Sequence, residues 1–174
     1  MSVEKLPLKL PNPNIAFTDV EFDRNTDDIY LGSDEGMYVS NDGGRSMRPI
    51  GPEKHRDCDR CWVSSIVQLS GHGNFLIAAA SGIYKTTDRG ATWQRLSGTP
   101  DYYPKLYPTD PDGNHIFAIR DVLNESKDSG VTWKNISKQV DPELTRSDLT
   151  VTAMTNPLFL PWFISTRLGL YYRN

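Results

Sequence analysis

Three octets with nearly the same sequence recur along the chain: SNDGGRSM at residues 40–47, TTDRGATW at residues 86–93 and SKDSGVTW at residues 126–133. Their central aspartates, Asp42, Asp88 and Asp128, stand 46 and 40 residues apart. A period of ~40 to 50 residues is typical of the blades of a β-propeller or of a similar array. The octets therefore mark the units of a repeat.

The similarity extends to the residues before each octet. GMYVS before the first octet aligns position by position with GIYKT before the second, and GLYYR at Gly169–Arg173 is a fourth copy. Further short β-prone runs, separated by polar turns, precede these segments, and no window has a sustained helical period. Each unit therefore contains a strand that leads into the octet.

We predict an all-β fold: a β-propeller of about four four-stranded blades in one domain spanning residues 1–174. The blades correspond to residues 15–50, 62–97, 104–137 and 148–174, and the last of these lacks an outermost strand. Residues 5–10 (KLPLKL) could supply that strand and close the ring. Two assemblies remain open: a small closed ring, or a partial ring completed by oligomerisation, for example as a homodimer with eight units.

The octet pattern resembles the Asp-box, or BNR, repeat of sialidases, sortilin-type receptors, xyloglucan-cleaving glycosidases and photosystem assembly factors. The second and third copies match throughout, and the first copy matches at its first three motif positions but ends in Ser46-Met47. The resemblance implies structural turns on the perimeter of a propeller, away from its axial face. The matching residues are Ser40, Asp42, Gly44, Thr86, Asp88, Gly90, Thr92, Trp93, Ser126, Asp128, Gly130, Thr132 and Trp133.

Each residue type in the octet suits a tight turn between two strands. A short carboxylate can accept hydrogen bonds from the amides of the turn, and the glycine permits a positive φ. Threonine favours the returning strand, and tryptophan can bury a large ring between sheets. We therefore expect the octet aspartates to stabilise the fold and to hold no metal, because the loop lacks the alternating carboxylates of a calcium site.

Composition limits the classes of partner. The net charge is −3, with 19 basic residues scattered among 22 acidic ones, which disfavours nucleic acid. The longest apolar stretch, residues 157–164, is far shorter than the ~20 residues of a membrane-spanning helix, and no export signal is visible. We expect a soluble protein without membrane insertion, and the compartment stays undecided.

A possible metal site lies between the first two units. His55, Cys58 and Cys61 offer one imidazole and two thiolates, which together are suitable zinc ligands. A single CxxC pair is also compatible with free thiols or with a local disulfide bond. Zinc is the only cofactor that the sequence suggests.

The evidence for catalysis is weak. Arg24, Arg120 and Arg167 could approach one axis as in sialidases, but their spacing is not diagnostic and the arginine-containing segment that opens those enzymes is absent. A glycosidase needs two facing carboxylates, and the candidates near the innermost strands are Asp19, Glu21, Asp110, Asp112 and Asp148. Nothing in the sequence brings two of them together.

Aromatic residues could form a binding surface. Tyr102, Tyr103, Tyr107 and Trp162 could stack on sugars or anchor a partner if exposed, or fill the core if buried. Taken together, the sequence favours a non-catalytic repeat protein that binds a protein partner or serves as a scaffold or structural subunit of a larger assembly. The resemblance is closer to sortilin-type receptors and photosystem assembly factors than to true sialidases. A carbohydrate-binding or glycosidase-like protein is the alternative.

Overall fold

The computed structural model describes residues 10, 12–51, 62–99, 104–140 and 142, together with the backbone of residues 162–166 and 169–173. Within these residues the chain forms three four-stranded antiparallel sheets, one two-stranded hairpin and one short helix. The first sheet contains β1 (Phe17–Phe22), β2 (Ile29–Ser33), β3 (Gly36–Ser40) and β4 (Arg48–Gly51). The second contains β5 (Val63–Gln68), β6 (Phe75–Ala79), β7 (Gly82–Thr86) and β8 (Gln94–Arg95). The third contains β9 (Lys105–Pro108), β10 (Ile116–Ile119), β11 (Leu123–Ser126) and β12 (Lys134–Asn135), and α1 (Ser137–Val140), β13 (Trp162–Thr166) and β14 (Gly169–Arg173) follow.

Every sheet is a meander in which each strand pairs with the next strand along the chain. This architecture confirms the predicted all-β propeller fold, and 174 residues fit a partial propeller. The only helix among the described residues, α1, was not predicted, since its four residues are too few to give a periodic pattern. It is much too short to cross a membrane, and no other described segment forms a helix that could.

The innermost strands β1, β5 and β9 lie side by side and run in the same direction. They are joined by side chains rather than by a backbone ladder. The Thr18 hydroxyl donates to Val63 O, and Ile66 N donates to Asp19 Oδ2 at 2.9 Å. Leu106 N donates to Ser65 Oγ at 3.2 Å between the second and third sheets. The three sheets therefore fan outward from a shared centre, as propeller blades do.

The hydrophobic core lies between successive sheets. Tyr30 of the first sheet contacts Phe75 of the second, with ring centroids 4.1 Å apart. Leu76, on the opposite face of β6, belongs to the cluster shared with the third sheet, which includes Leu106 and Ile116. The strand β6 is buried along its whole length because neighbouring sheets cover both faces of its sheet. All five of its residues are accordingly apolar.

Candidate functional site

The three octets share one hydrogen-bond network. In each, the first hydroxyl donates to the aspartate Oδ1 at 2.8 to 2.9 Å and accepts from the glycine amide at 2.8 to 3.0 Å. The seventh residue, Ser46, Thr92 or Thr132, donates its amide to Oδ1 and its hydroxyl to Oδ2 of the same aspartate. The carboxylates are therefore occupied within their own turns.

These bonds favour the charged form of the aspartates. The Ser46 hydroxyl and amide lower the pKa of Asp42, and the Thr92 hydroxyl and amide lower that of Asp88. At Asp128, burial opposes the shift, yet the Thr132 hydroxyl and amide leave its pKa below the usual value. The aspartates therefore act as fixed acceptors in the turns, and they are poor candidates for proton transfer at neutral pH.

Two consecutive residues of each octet adopt a left-handed backbone. The glycines have φ near 82°, and the residues before them, Gly43, Arg89 and Ser129, have φ of 72°, 61° and 55°. From the sequence, a positive φ was predicted only at the glycine in the second of these two positions. The consecutive glycines Gly43 and Gly44 in the first octet were the sequence signal for a positive φ at the first position as well.

The octet turns of the second and third sheets also contact the preceding sheet. A Cβ at Gly90 would lie 2.8 Å from Ile50 Cδ1, and Trp93 Nε1 donates to Ile50 O at 2.7 Å. The indole of Trp133 donates instead to Gly130 O, at 2.8 Å, inside its own turn. A Cβ at Gly130 would lie 2.6 Å from Leu76 Cδ2 of the second sheet, so both turns pack closely against the preceding sheet. The octets lie at the end of the sheets where β1, β5 and β9 finish.

A cleft opens at the other end, where the innermost strands begin. It has a volume of about 520 Å³ and takes residues from all three sheets, and we call it the entry cleft. Trp62, the residue before β5, is 45% exposed. The residues that line the cleft are Thr18, Trp62, Ser64, Lys105 and Arg120.

The rim of the entry cleft carries two cationic side chains. Lys105 Nζ lies 3.8 Å from Asp19 Oδ2 and donates to Thr18 O at 3.4 Å. Arg120 Nε lies 4.0 Å from Asp121 Oδ1. The side chains of both cations remain nearly half exposed. An aromatic face beside two cations suits a partner that carries carboxylate groups.

Arg24 lies at the opposite end of the sheets from the cleft. Its guanidinium donates to Gln68 Oε1 at 2.7 Å and to Pro111 O, which joins all three sheets near the octets. Arg24 and Arg120 are therefore not brought together, and Arg167 lies outside the described residues. The arrangement differs from an arginine triad on one axis.

Only some of the candidate catalytic carboxylates lie close together. Asp19 and Glu21 lie on β1, whereas Asp110 lies in the turn after β9, where it accepts the amides of Asp112 and His115 at 3.0 and 2.6 Å. Burial raises the pKa of Glu21, although the Phe22 amide opposes the shift by donating to Oε1 at 3.2 Å. Asp148 lies outside the described residues.

The other predicted site residues are only partly described. Tyr107 is half-buried on β9 against the cluster of Phe117 and Leu123, and burial raises its pKa. The side chain of Trp162 lies outside the described residues, as do Tyr102, Tyr103, His55, Cys58 and Cys61. Among the residues that are described, no three His, Cys, Asp or Glu side chains form a group that could hold a metal ion.

Comparison with known proteins supports the fold. No family model matches the sequence, and no curated protein is significantly similar to it. The structure is similar to the extracellular domain of BT4673 from B. thetaiotaomicron, with a TM-score of 0.69 and 12% identity over 94% of this chain and 22% of that one. It is also similar to the GH74 xyloglucanase from Xanthomonas campestris, with a TM-score of 0.61 and 19% identity over 90% and 27% of the two chains.

A third similar structure is YCF48 from Cyanidioschyzon merolae, with a TM-score of 0.59 and 15% identity over 90% of this chain and 52% of that one. YCF48 bound to D1 peptide matches with a TM-score of 0.56 and 21% identity over 73% and 41%. The chain thus spans between about a fifth and about half of the length of these propeller proteins. The likeness establishes a β-propeller fold.

Proposed function

We propose that this chain is a non-catalytic propeller module that binds a protein partner, and that the entry cleft receives a carboxylate-bearing segment of that partner. The observation that carries the proposal is the composition of the cleft. Trp62 offers an exposed ring, and Lys105 and Arg120 offer half-exposed cations at its rim. An aromatic anchor with adjacent cations is a common arrangement at protein interfaces.

The structural use of the carboxylates also supports a binding role. Asp19 Oδ2 accepts the Ile66 amide and lies near Lys105, so this group stabilises the packing of the innermost strands. The octet aspartates are saturated by their own turns. Each of these acidic groups has a structural role that explains its position without a reaction.

The octet network supports membership of the Asp-box repeat class, in which the turns fasten the blades and the axial surfaces remain available for ligands. YCF48, a protein of the same fold, binds D1 peptide. By analogy, this chain recognises a peptide segment within a larger assembly, and the composition of the entry cleft leads us to assign that role to the strand-start end.

A peptide-array experiment tests the proposal. The purified chain is incubated with acidic peptides and with the same sequences after Glu→Gln and Asp→Asn exchange, at low and high salt. We expect binding to the acidic set, weakening with salt. We expect Trp62→Ala and Arg120→Glu each to lose at least about tenfold in affinity, as residues central to an interface do. Val131→Asp, a half-exposed position on the third octet, serves as the control.

A carbohydrate-binding or glycosidase-like protein is the second candidate. The observations that favour it are the exposed Trp62, which could stack on a sugar ring, and the raised pKa of Glu21 on the innermost strand beside Asp19. Glycan-array binding together with hydrolysis of a chromogenic glycoside, abolished by Glu21→Gln, would support this candidate. Failure of the acidic peptides alongside that result would refute the peptide-binding proposal.

A further inference from the structure

One face of the first sheet is apolar and exposed. Phe17, Val20 and Phe22 on β1 are 41%, 51% and 58% exposed. They line a cleft of about 470 Å³ on this side of the sheet, and we call the apolar surface that lines it the first-sheet face. Its other lining residues are Thr18, Asp19, Ile29, Leu31 and Met47. An apolar sheet face of this kind needs a partner, because exposed contiguous apolar surface marks an interaction site.

The register of the strands shows what kind of surface this is. Val20 stands at the position of Ile66 in the second sheet and of Leu106 in the third. Ile66 and Leu106 are only 4% and 5% exposed, since the preceding sheet covers each of them. Phe17 stands at the position of Val63, which is completely buried. The first-sheet face is therefore an inter-blade surface without its preceding blade among the described residues.

Leu10 indicates where the covering blade would lie. It packs against the cluster of Ile15, Leu31, Tyr38 and Met47, of which Leu31 and Met47 line the first-sheet face. In the second sheet the residues at the corresponding positions, Tyr84 and Trp93, pack in one cluster with Ile50, which belongs to the outermost strand of the preceding sheet. Leu10 thus has the place of an outermost-strand residue belonging to the blade that precedes the first sheet.

We propose that a second copy of this chain covers the first-sheet face, so that two copies join head to tail and complete one ring. The similarity to BT4673 extends over 94% of this chain and 22% of that one, so the chain matches one part of a larger propeller protein. Val20 and Phe22 are 51% and 58% exposed in the single chain, so the chain leaves this face uncovered. The chain covers 52% of YCF48, so that two copies supply a ring of about that size.

The predicted closing strand, residues 5–10, lies outside the described residues except for Leu10. Each copy would cover the first-sheet face of the other copy. The dimer would then have two equivalent contacts and closed twofold symmetry.

Light scattering on the full chain, through a dilution series, tests the proposal. We expect a mass of two chains. Val20→Asp should weaken the association on the order of a hundredfold, because a charge would be buried without a partner. Val131→Asp is a matched control with the same substitution at a position that is 49% exposed, and it should leave the mass unchanged. Phe22→Ser, with circular dichroism of both variants, separates loss of association from loss of folding.

A monomer at every concentration would overturn the proposal, as would a dimer equally stable in wild type and in Val20→Asp. A folded Val20→Asp monomer beside a wild-type dimer would support it. The result is independent of the proposed function, because Val20 does not line the entry cleft. Peptide binding can therefore fail while association holds, and the reverse outcome is equally distinguishable.

Discussion

Replacing Gly130 by alanine should destabilise the protein more than the same substitution at Gly43 or Gly90 in the other octets. Gly130 has φ of 81°, and an added Cβ would lie 2.6 Å from Leu76 Cδ2 and 3.0 Å from Leu76 Cδ1. Leu76 is completely buried in a packed core, so a shift of its side chain would disturb its neighbours. The left-handed backbone costs about 1 to 2 kcal/mol for a residue with a side chain, and overpacking of a core adds about 1 to 3 kcal/mol. We expect a total loss of about 2 to 5 kcal/mol.

Urea unfolding followed by tryptophan fluorescence measures this loss, and Gly43→Ala is the matched control. Gly43 has φ of 72°, but a Cβ there would meet no atom within 4 Å. Its cost should stay near the backbone contribution of about 1 to 2 kcal/mol. The double variant Gly130→Ala/Leu76→Ala should lose less than the sum of the two single changes, because the smaller side chain removes the overlap. Equal losses for Gly130→Ala and Gly43→Ala would refute the packing argument.

Three further predictions concern acid stability and the contacts between sheets. The pKa values of Asp42, Asp88 and Asp128 are lowered in the folded state, so their contribution to the free energy of unfolding is complete above the unfolded pKa of ~4 and declines as the pH falls further. Thermal melts should show this decline, and a melting temperature unchanged below that pH would contradict it. Trp93→Phe removes the bond from the indole to Ile50 O, so it should lower the free energy of unfolding by about 1 kcal/mol and accelerate amide exchange in the first sheet. Trp133→Phe should lower the free energy of unfolding by no more than Trp93→Phe does, and it should leave amide exchange in the first sheet unchanged. The reason is that the Trp133 indole donates within its own turn. Ser64→Ala removes a 2.9 Å bond to Pro104 O and should cost about 1 kcal/mol in urea unfolding; no measurable change would show that this bridge is dispensable.

The repeat unit was predictable because its interactions are local. The bonds that the first hydroxyl and the aspartate make within each turn join residues two to four positions apart. The strands are also short-range features, since each pairs with its neighbour along the chain. The all-β fold followed from these patterns.

The position of each surface around the ring depended on the tertiary structure. The entry cleft joins Thr18, Trp62 and Arg120, which are far apart in sequence and have no common motif. Arg24 and Arg120 were both candidates for an arginine cluster on one axis, yet they lie at opposite ends of the sheets.

The burial of residues at equivalent positions could not be predicted from the sequence either. Val20 and Ile66 occupy the same register position, but one is half exposed and the other is buried. The sequence by itself determined the repeating turns and strands, because hydrogen bonds between near neighbours specify them. Only the tertiary structure decided which faces are covered and which remain open, because burial depends on a neighbouring sheet that no local pattern encodes.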